Sequence, residues 1–283
     1  MNADLHCHSN VSDGTLQPEA LAARAKANGV ELWALTDHDE VGGQERARQA
    51  AFELDLPYLT GCEISVTFAD TTVHIVGLGF DAGNAALIAG LAATRDGRKQ
   101  RALEMAQGLA QAGIPGAFEG ALGFVSNPDL MSRTHFARFL VATGVCHDTQ
   151  EVFRKYLIQG KPGYVPHRWA SLRDAVTWIA QAGGVAVIAH PARYKFSSNE
   201  EYALFTEFIA HGGQGVEVVT GSHSAADAER YADAALEFKL LASRGSDFHS
   251  PEESRMDLGG LPPLPARLTP IWETLLDRVQ RPG

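Results

Sequence analysis

Glu31-Leu32-Trp33-Ala34-Leu35-Thr36-Asp37-His38-Asp39 decides the fold. A short apolar run ends abruptly in acids and an imidazole, the pattern of a buried strand whose C-terminal end carries chemistry. A helical pattern precedes it over about 18–28, with Pro18 near the first turn and Gly29 just past the end. Another follows over about 43–54. Strand, helix and strand in this rhythm predict a parallel sheet covered by helices.

The same rhythm extends outward in both directions. Ala3-Asp4-Leu5-His6 reads as the first strand, and further strands are expected over 57–64 and 72–80. From about Ala82 to Gly163 no strand pattern appears. Helical segments near 84–112, 134–143 and 149–158 are broken there by Gly113-Ile114-Pro115-Gly116 and Ser126-Asn127-Pro128-Asp129. Residues 82–163 are therefore expected to be a helical insertion, with 1–81 and 164–283 forming the barrel. Alternation resumes with a helix over 171–182, the strand Gly184-Val185-Ala186-Val187-Ile188-Ala189, a helix over 199–211 and a strand over 215–219. A helix over 224–238, the strand Leu240-Leu241-Ala242-Ser243 and a last helix over 269–279 complete about seven strands.

Composition bounds the function. The chain has 283 residues, 45% of them hydrophobic, enough for one large α/β barrel. Met1-Asn2-Ala3-Asp4-Leu5-His6 has neither the basic flank nor the apolar run of a signal peptide, and no stretch approaches a membrane span. Three cysteines at unrelated spacings make no disulfide framework. These features predict a cytoplasmic protein. A net charge of −10 argues against duplex DNA as a partner, because counterion release needs a basic face. A small phosphate ester remains open, since bound ions reverse the local sign.

Metal-ligand residue types gather where strands end. His6-Cys7-His8 closes the first strand, with Asp13 five residues on; Asp37-His38-Asp39 closes the second and Glu63 the third. His190 follows Ala189, and Asp247-Phe248-His249 follows the last strand. His74 stands apart, at the start of its strand. Alternate residues on a strand share a face, so His6 and His8 converge while Cys7 turns away, and Asp247 and His249 do the same if their strand continues. In a parallel barrel all strand C-termini open on one side, where such groups assemble. Singly each signal is weak: His-x-His is common, Asp37 and Asp39 could cap a helix, and Asp13-Gly14 suits a turn. Jointly they are not, because six of the eleven histidines fall in these positions. Mixed imidazole and carboxylate ligands suit Mn²⁺, Fe²⁺ or Zn²⁺ better than Ca²⁺ or Mg²⁺.

His6-x-His8, Thr36-Asp37-His38, Glu63, His74, Ala189-His190-Pro191 and Ser246-Asp247-Phe248-His249 occur in the order found in the PHP (polymerase and histidinol phosphatase) family of the amidohydrolase superfamily, which the chain resembles from Ala3 to His249. The resemblance implies a distorted (β/α)7 barrel. Leu5-His6-Cys7-His8-Ser9, Ser12-Asp13-Gly14, Ser132-Arg133-x-His135-Phe136-Ala137, Tyr164-Val165-Pro166-His167 and Ala189-His190-Pro191-Ala192-Arg193-Tyr194 are most similar to one branch. That branch dephosphorylates 3′,5′-nucleoside bisphosphates, and related members trim short 5′-phosphorylated RNA; its helical insertion covers the metal site.

The resemblance implies two or three divalent ions, Mn²⁺ foremost. His6, His8, Glu63 and Asp247 would hold one. Glu63 would bridge to a second, held by His74 and His190; Asp13, His38 and His249 would hold a third. Asp37 would orient a ligand imidazole, and Asp39 would either do likewise or cap a helix in solvent. The nucleophile is then expected to be a metal-bridging hydroxide, with Asp247, Glu63 and His190 as the catalytic residues. For a second phosphate the candidates are Arg133, Arg193 and His135, with His167, Lys161 and Tyr164 behind them; Tyr164 or Tyr194 would stack on a base. The expected function is hydrolysis of the 3′-phosphate of a nucleoside 3′,5′-bisphosphate. The rivals are 5′→3′ exonuclease action on short RNA, an amino-acid phosphatase and a noncatalytic metal-binding module. No protein partner is implied.

Overall fold

A computed structural model describes residues 1–281. Seven strands lie in sequence order around a nearly closed barrel: β1 (Ala3–Asp4), β2 (Leu32–Leu35), β3 (Tyr58–Phe68), β4 (Thr71–Leu78), β5 (Val185–Ile188), β6 (Gly215–Thr220) and β7 (Leu241–Gly245). Closure comes from β1 meeting β7, where Leu5 N donates to Arg244 O at 3.0 Å and Cys7 bridges Phe248. Neighbouring strands pair in parallel except at β4, which is antiparallel to both β3 and β5. The purely parallel sheet expected from the alternation is corrected at that one strand.

β4 reverses because β3 does not stop at Ile64. It runs on to Phe68 and turns through Ala69 and Asp70, both at positive φ (45° and 56°), the geometry of a tight two-residue hairpin. Glu63 is thus a mid-strand residue, not a strand end. The reversal also explains His74: the first half of an antiparallel strand reaches the same mouth as the last halves of its neighbours.

Outside the strands lie α1 (Pro18–Ala27), α2 (Gln44–Glu53), α3 (Ala85–Arg95), α4 (Arg98–Gln111), α5 (Ala117–Leu122), α6 (Arg133–Ala142), α7 (Thr149–Val152), α8 (Leu172–Gln181), α9 (Ser198–Ala210) and α10 (Ala225–Glu237). Strand alternation divides the core between them. Leu32 and Ala34 of β2, with Val185 and Val187 of β5, fill the barrel interior; Trp33 and Leu35 pack under α1 and α2, and Ala186 and Ile188 under the later helices. The 82–163 segment is helical, as its pattern predicts, but it serves two cores. Leu87 and Leu91 of α3 bury against the barrel, whereas Ala102, Met105, Leu109, Phe136, Leu140 and Leu157 build a separate core.

The last helix expected over 269–279 does not form. Only a single 3₁₀ turn spans Ile271–Thr274, and Ile271, Trp272 and Leu275 plug the interior instead. The backbone there is engaged elsewhere: Gln280 exchanges hydrogen bonds with Tyr58 at 2.8 and 3.0 Å, and Ala242 N donates to Thr269 O. No helix among the described residues is long and apolar enough to cross a membrane.

Candidate metal centre

Glu63 sits at the centre of the mouth, fully buried. Its Oε1 lies 2.9 Å from His190 Nε2, 2.9 Å from His74 Nδ1 and 3.3 Å from His6 Nε2; its Oε2 lies 2.9 Å from His38 Nδ1 and 3.3 Å from His8 Nε2. Asp247 Oδ1 is 3.5 Å from His6 Nε2 and 3.3 Å from His8 Nε2, and Asp13 Oδ1 is 3.3 Å from His249 Nε2. All nine expected ligands therefore meet in one cluster. Three potential ligand groups emerge: His6, His8, Glu63 and Asp247; His8, Asp13, His38 and His249; and His38, Glu63 and His74. The first matches the set that the family resemblance implies. His8 and His38 each face two groups, and His190 adjoins the Glu63–His74 group through Glu63 Oε1.

Two observations test whether these residues fit metal ions. Tetrahedral N and O ligands at about 2.0–2.1 Å from an ion stand about 3.3–3.4 Å from one another. In the first group the spacings just given, with 3.2 Å between His6 Nε2 and His8 Nε2, fall around that value. Secondly, buried polar atoms are almost always paired, yet His8 Nδ1, Asp13 Oδ1, His38 Nδ1, Glu63 Oε2, His74 Nδ1 and His190 Nδ1 have no hydrogen-bond partner. Most of these atoms stand close to one another without aligned hydrogens. A divalent cation would satisfy such a set of converging lone pairs.

The electrostatics agree. Burial would push the Glu63 carboxyl up, but His74, His38 and His6 together hold it well below the usual carboxylate range. Asp13 and Asp247 are held down against burial in the same way, by His38 and His249 and by His6 and His8 respectively. Burial, with Arg193 nearby, lowers His190 to about 3, whereas against burial the facing carboxylates raise His6, His249 and His38, the last to about 9, so those three would exchange a proton for an ion on binding.

Local backbone geometry holds the ligands. Asp247 (φ 55°) and His190 (φ 27°) both take left-handed conformations, so β7 does not continue through Asp247 and His249 as expected. They converge through a turn. Such strain persists where surrounding contacts over-determine it. In the loop after β1, a Cβ on Gly14 would sit 2.1 Å from His8 O, so only glycine lets that loop fold back towards Asp13. Asp37 secures the same loop, accepting from Ser9 N at 2.8 Å, Ser9 Oγ at 2.7 Å and Ser12 Oγ at 2.6 Å. It orients ligands through the loop and touches no imidazole in these contacts. Asp39 is buried rather than solvated, and pairs with Arg98 and Ser65.

Residues of the helical segment between β4 and β5 also line this mouth. A cavity lined by Asp13, His38, Glu63, His74, Asp247 and His249 is roofed by Arg98, Arg101, Ser132, Arg133, Phe153 and Trp169, with Arg193 at its side. Arg98 lies over the Trp169 ring at 4.4 Å. Burial and the neighbouring Arg133 and Arg98 depress the Arg101 guanidinium, which donates only to Val165 O at 3.1 Å. Arg193 reaches Asp247 Oδ2 at 2.7 Å.

Of the substrate-contact candidates, Arg133 and Arg193 line this cavity. His135 is buried at the start of α6, its Nδ1 accepting from Ser132 N at 3.0 Å. Tyr164 and His167 line a separate depression beside Thr67 and Asp70. Tyr194 is buried, accepting from His74 N at 2.8 Å and donating to Ala189 O at 2.9 Å, so it is not free to stack on a base. Sequence reasoning missed Arg98, Arg101, Phe153, Trp169 and Glu217. Arg98 and Arg101 carried a faint signal, two arginines one helical turn apart after Asp96-Gly97. Glu217 carried a clearer one, a lone acid in the apolar run Gly215-Val216-Glu217-Val218-Val219.

The PHP domain family matches residues 4–237. Over 282 residues the chain is 51% identical to a 3′,5′-nucleoside bisphosphate phosphatase of Chromobacterium violaceum, covering 100% of this chain and 99% of the relative. It is 39% identical to a 5′-3′ exoribonuclease of Haemophilus influenzae, covering 95% and 97%. A crystal structure from Bifidobacterium adolescentis, assigned to the metal-dependent phosphoesterases, superposes with a TM-score of 0.81 at 30% identity, over 97% and 95% of the two chains.

Proposed function

The chain belongs to the PHP family, and from that premise we propose that it is a metal-dependent phosphatase that removes the 3′-phosphate of a 3′,5′-nucleoside bisphosphate, such as 3′,5′-adenosine bisphosphate. The observation carrying this reading is that two anion-receptive sites share one cavity. One is the ligand cluster around Glu63. The other is the roof of Arg98, Arg101 and Arg133, of which Arg101 and Arg133 make no ion pair among the described residues. Guanidiniums crowded together out of solvent call for an anion, and a phosphate accepts from several at once.

Two or three ions are proposed, Mn²⁺ first and Fe²⁺ or Zn²⁺ next, held by His6, His8, Asp13, His38, Glu63, His74, His190, Asp247 and His249. When bound, they supply Lewis acidity to the phosphoryl oxygens and lower the pKa of coordinated water. The chain's own residues do the rest. Arg98, Arg101 and Arg133 bind the 5′-phosphate and so orient the 3′-ester, using binding energy away from the reacting bond. Phe153 and Trp169 exclude water and offer flat faces to the nucleoside. Arg193 contacts the reacting phosphate, and Asp247 is positioned to hold a proton as the P–O3′ bond breaks and O3′ is protonated. Residues 82–163 act as the lid, and a cytoplasmic nucleotide pool is the proposed setting.

The test compares a nucleoside 3′,5′-bisphosphate, a 3′-monophosphate and a 5′-monophosphate at one Mn²⁺ concentration, with products separated by chromatography. The bisphosphate should yield the 5′-monophosphate with a much higher kcat/KM than the 3′-monophosphate, and the 5′-monophosphate should inhibit. Dominant release of the 5′-phosphate would reject the reading.

A second reading, exonuclease action on short 5′-phosphorylated RNA, is favoured by an open groove that leaves the cavity past Arg193, Asp247 and His249. Exposed Arg154, Lys195 and Arg255 line it, whereas the surrounding ion pairs, Arg138–Glu253, Lys155–Glu151 and Arg193–Asp247, use other cations. Turnover of 5′-phosphorylated dinucleotides to tetranucleotides, compared with the bisphosphate, separates the two.

A further inference from the structure

Glu217 is a carboxylate in the middle of β6, 1% exposed, in a strand otherwise apolar but for its last residue. A charge buried there is costly unless every lone pair in reach is used. Both oxygens are: Oε1 lies 2.8 Å from His6 Nδ1, and Oε2 accepts from His190 N at 2.6 Å. The two residues it holds both face Glu63 Oε1, His6 Nε2 at 3.3 Å and His190 Nε2 at 2.9 Å, and their rings stack at 5.6 Å with 26° between planes.

The hydrogen-bond inventory then assigns the His6 proton. A carboxylate oxygen accepts from the ring N–H it faces, so His6 Nδ1 donates and Nε2 is the atom left to a bound cation. Nε2 is the atom 3.2 Å from His8 Nε2, 3.3 Å from Glu63 Oε1 and 3.5 Å from Asp247 Oδ1. The second bond ties down the backbone of His190 at φ 27°, a conformation non-glycine residues seldom adopt. We propose that Glu217 is a positioning residue that sets the His6 tautomer and the His190 backbone together, so that one carboxylate orients two neighbouring ligands of the metal centre. The inference rests on the reading of the cluster as a metal centre, and it does not depend on which phosphate ester is the substrate.

Glu217→Gln is the discriminating change because it keeps shape and loses one acceptor. The His190 N–H can only donate, so it takes the amide oxygen. The amide NH₂ then faces His6 Nδ1, which accepts only if the proton moves to Nε2, where it points at the ion site. Glu217→Gln should therefore fold with a near-normal melting temperature when metal-free. Its tightest Zn²⁺ or Mn²⁺ site, titrated against a chromophoric chelator, should weaken about 10–100-fold. In steady state kcat should fall while KM for the bisphosphate holds, because Glu217 does not line the arginine-roofed cavity. Heteronuclear NMR of histidine-labelled protein should show His6 as the Nδ1–H tautomer in metal-loaded wild type and as Nε2–H in the variant. Wild-type metal affinity in Glu217→Gln would overturn the proposal. An Nε2–H tautomer in the wild type would overturn it without any variant. A Glu217→Gln chain that fails to fold would also do so, assigning the carboxylate to the barrel and not to its ligands. Loss of turnover with metal affinity and tautomer unchanged would also overturn positioning, whereas release of the 5′-phosphate by the wild type would reject the substrate reading and leave the role of Glu217 standing.

Discussion

The mouth of the barrel and the roof above it contribute to one cavity by different means. At the mouth, ligands come from strand ends and the turns after them, and the sheet fixes where those ends lie. On the roof, Arg98 and Arg101 of α4 and Arg133 of α6 come from segments far apart in the chain, brought over the mouth by a hydrophobic core of their own, and Trp169 is tied to the barrel through Thr67 and Thr72. Backbone pairing tolerates little displacement, whereas docking of one core on another can shift. The mouth should therefore carry the chemistry and the roof the selectivity.

The strongest test of that division is Glu63→Gln. Glu63 is the one carboxylate within 3.3 Å of five imidazoles. Its loss should lower kcat by several orders of magnitude on every substrate while the barrel still folds, as read by circular dichroism and metal analysis. Near-normal turnover by folded, metal-stripped and reloaded Glu63→Gln would dissolve the contrast.

Next in size is the roof. Arg101→Ala or Arg133→Ala should each cost about 1.5–3 kcal/mol in kcat/KM for the bisphosphate, the worth of a charge-assisted hydrogen bond. An aryl phosphate lacks the second phosphate and should lose far less. Equal losses on both substrates would mean that these arginines serve the reacting phosphate or the fold.

The seam between the regions should matter least. Arg138 of α6 meets Glu253, near His249, in two bonds of 2.8 and 2.7 Å, and Ser132 Oγ reaches Asp13 Oδ2 at 3.3 Å. Arg138→Ala should loosen the roof and reduce bisphosphate turnover a few-fold, with faster protease nicking of the insertion. Glu253→Ala should do the same, and the double variant should be no worse than either single change. Additive losses would show that the two side chains act apart.

Legibility followed the same boundary. His6, His8, His38, His190, Asp247 and His249 stood out because a strand ending in ligand types is a local pattern, and a barrel gathers strand ends automatically. His74 looked misplaced because nothing local announced that β4 runs backwards; the hairpin at Ala69 and Asp70, without Gly or Asn, hid the turn. Arg98 and Arg101 went unread, because nothing local shows which way a helix face turns.

What sequence alone determined was the family, the β/α barrel and the set of imidazoles and carboxylates that gather at its mouth, all carried by short-range periodicity and by residue types that do little else together. Only the tertiary structure decided that Glu217 ties His6 to His190, that Asp39 answers Arg98, that His135 caps α6, and that residues 269–279 plug the barrel instead of coiling. The His135 contact is local, whereas the others depend on which groups meet across the barrel or across the seam, as in His190–Glu217, 27 residues apart, Asp39–Arg98, 59 apart, and His6–Glu217, 211 apart. Burial makes such meetings obligatory, because a polar group out of water must find a partner. Which partner it finds is settled by the packed chain.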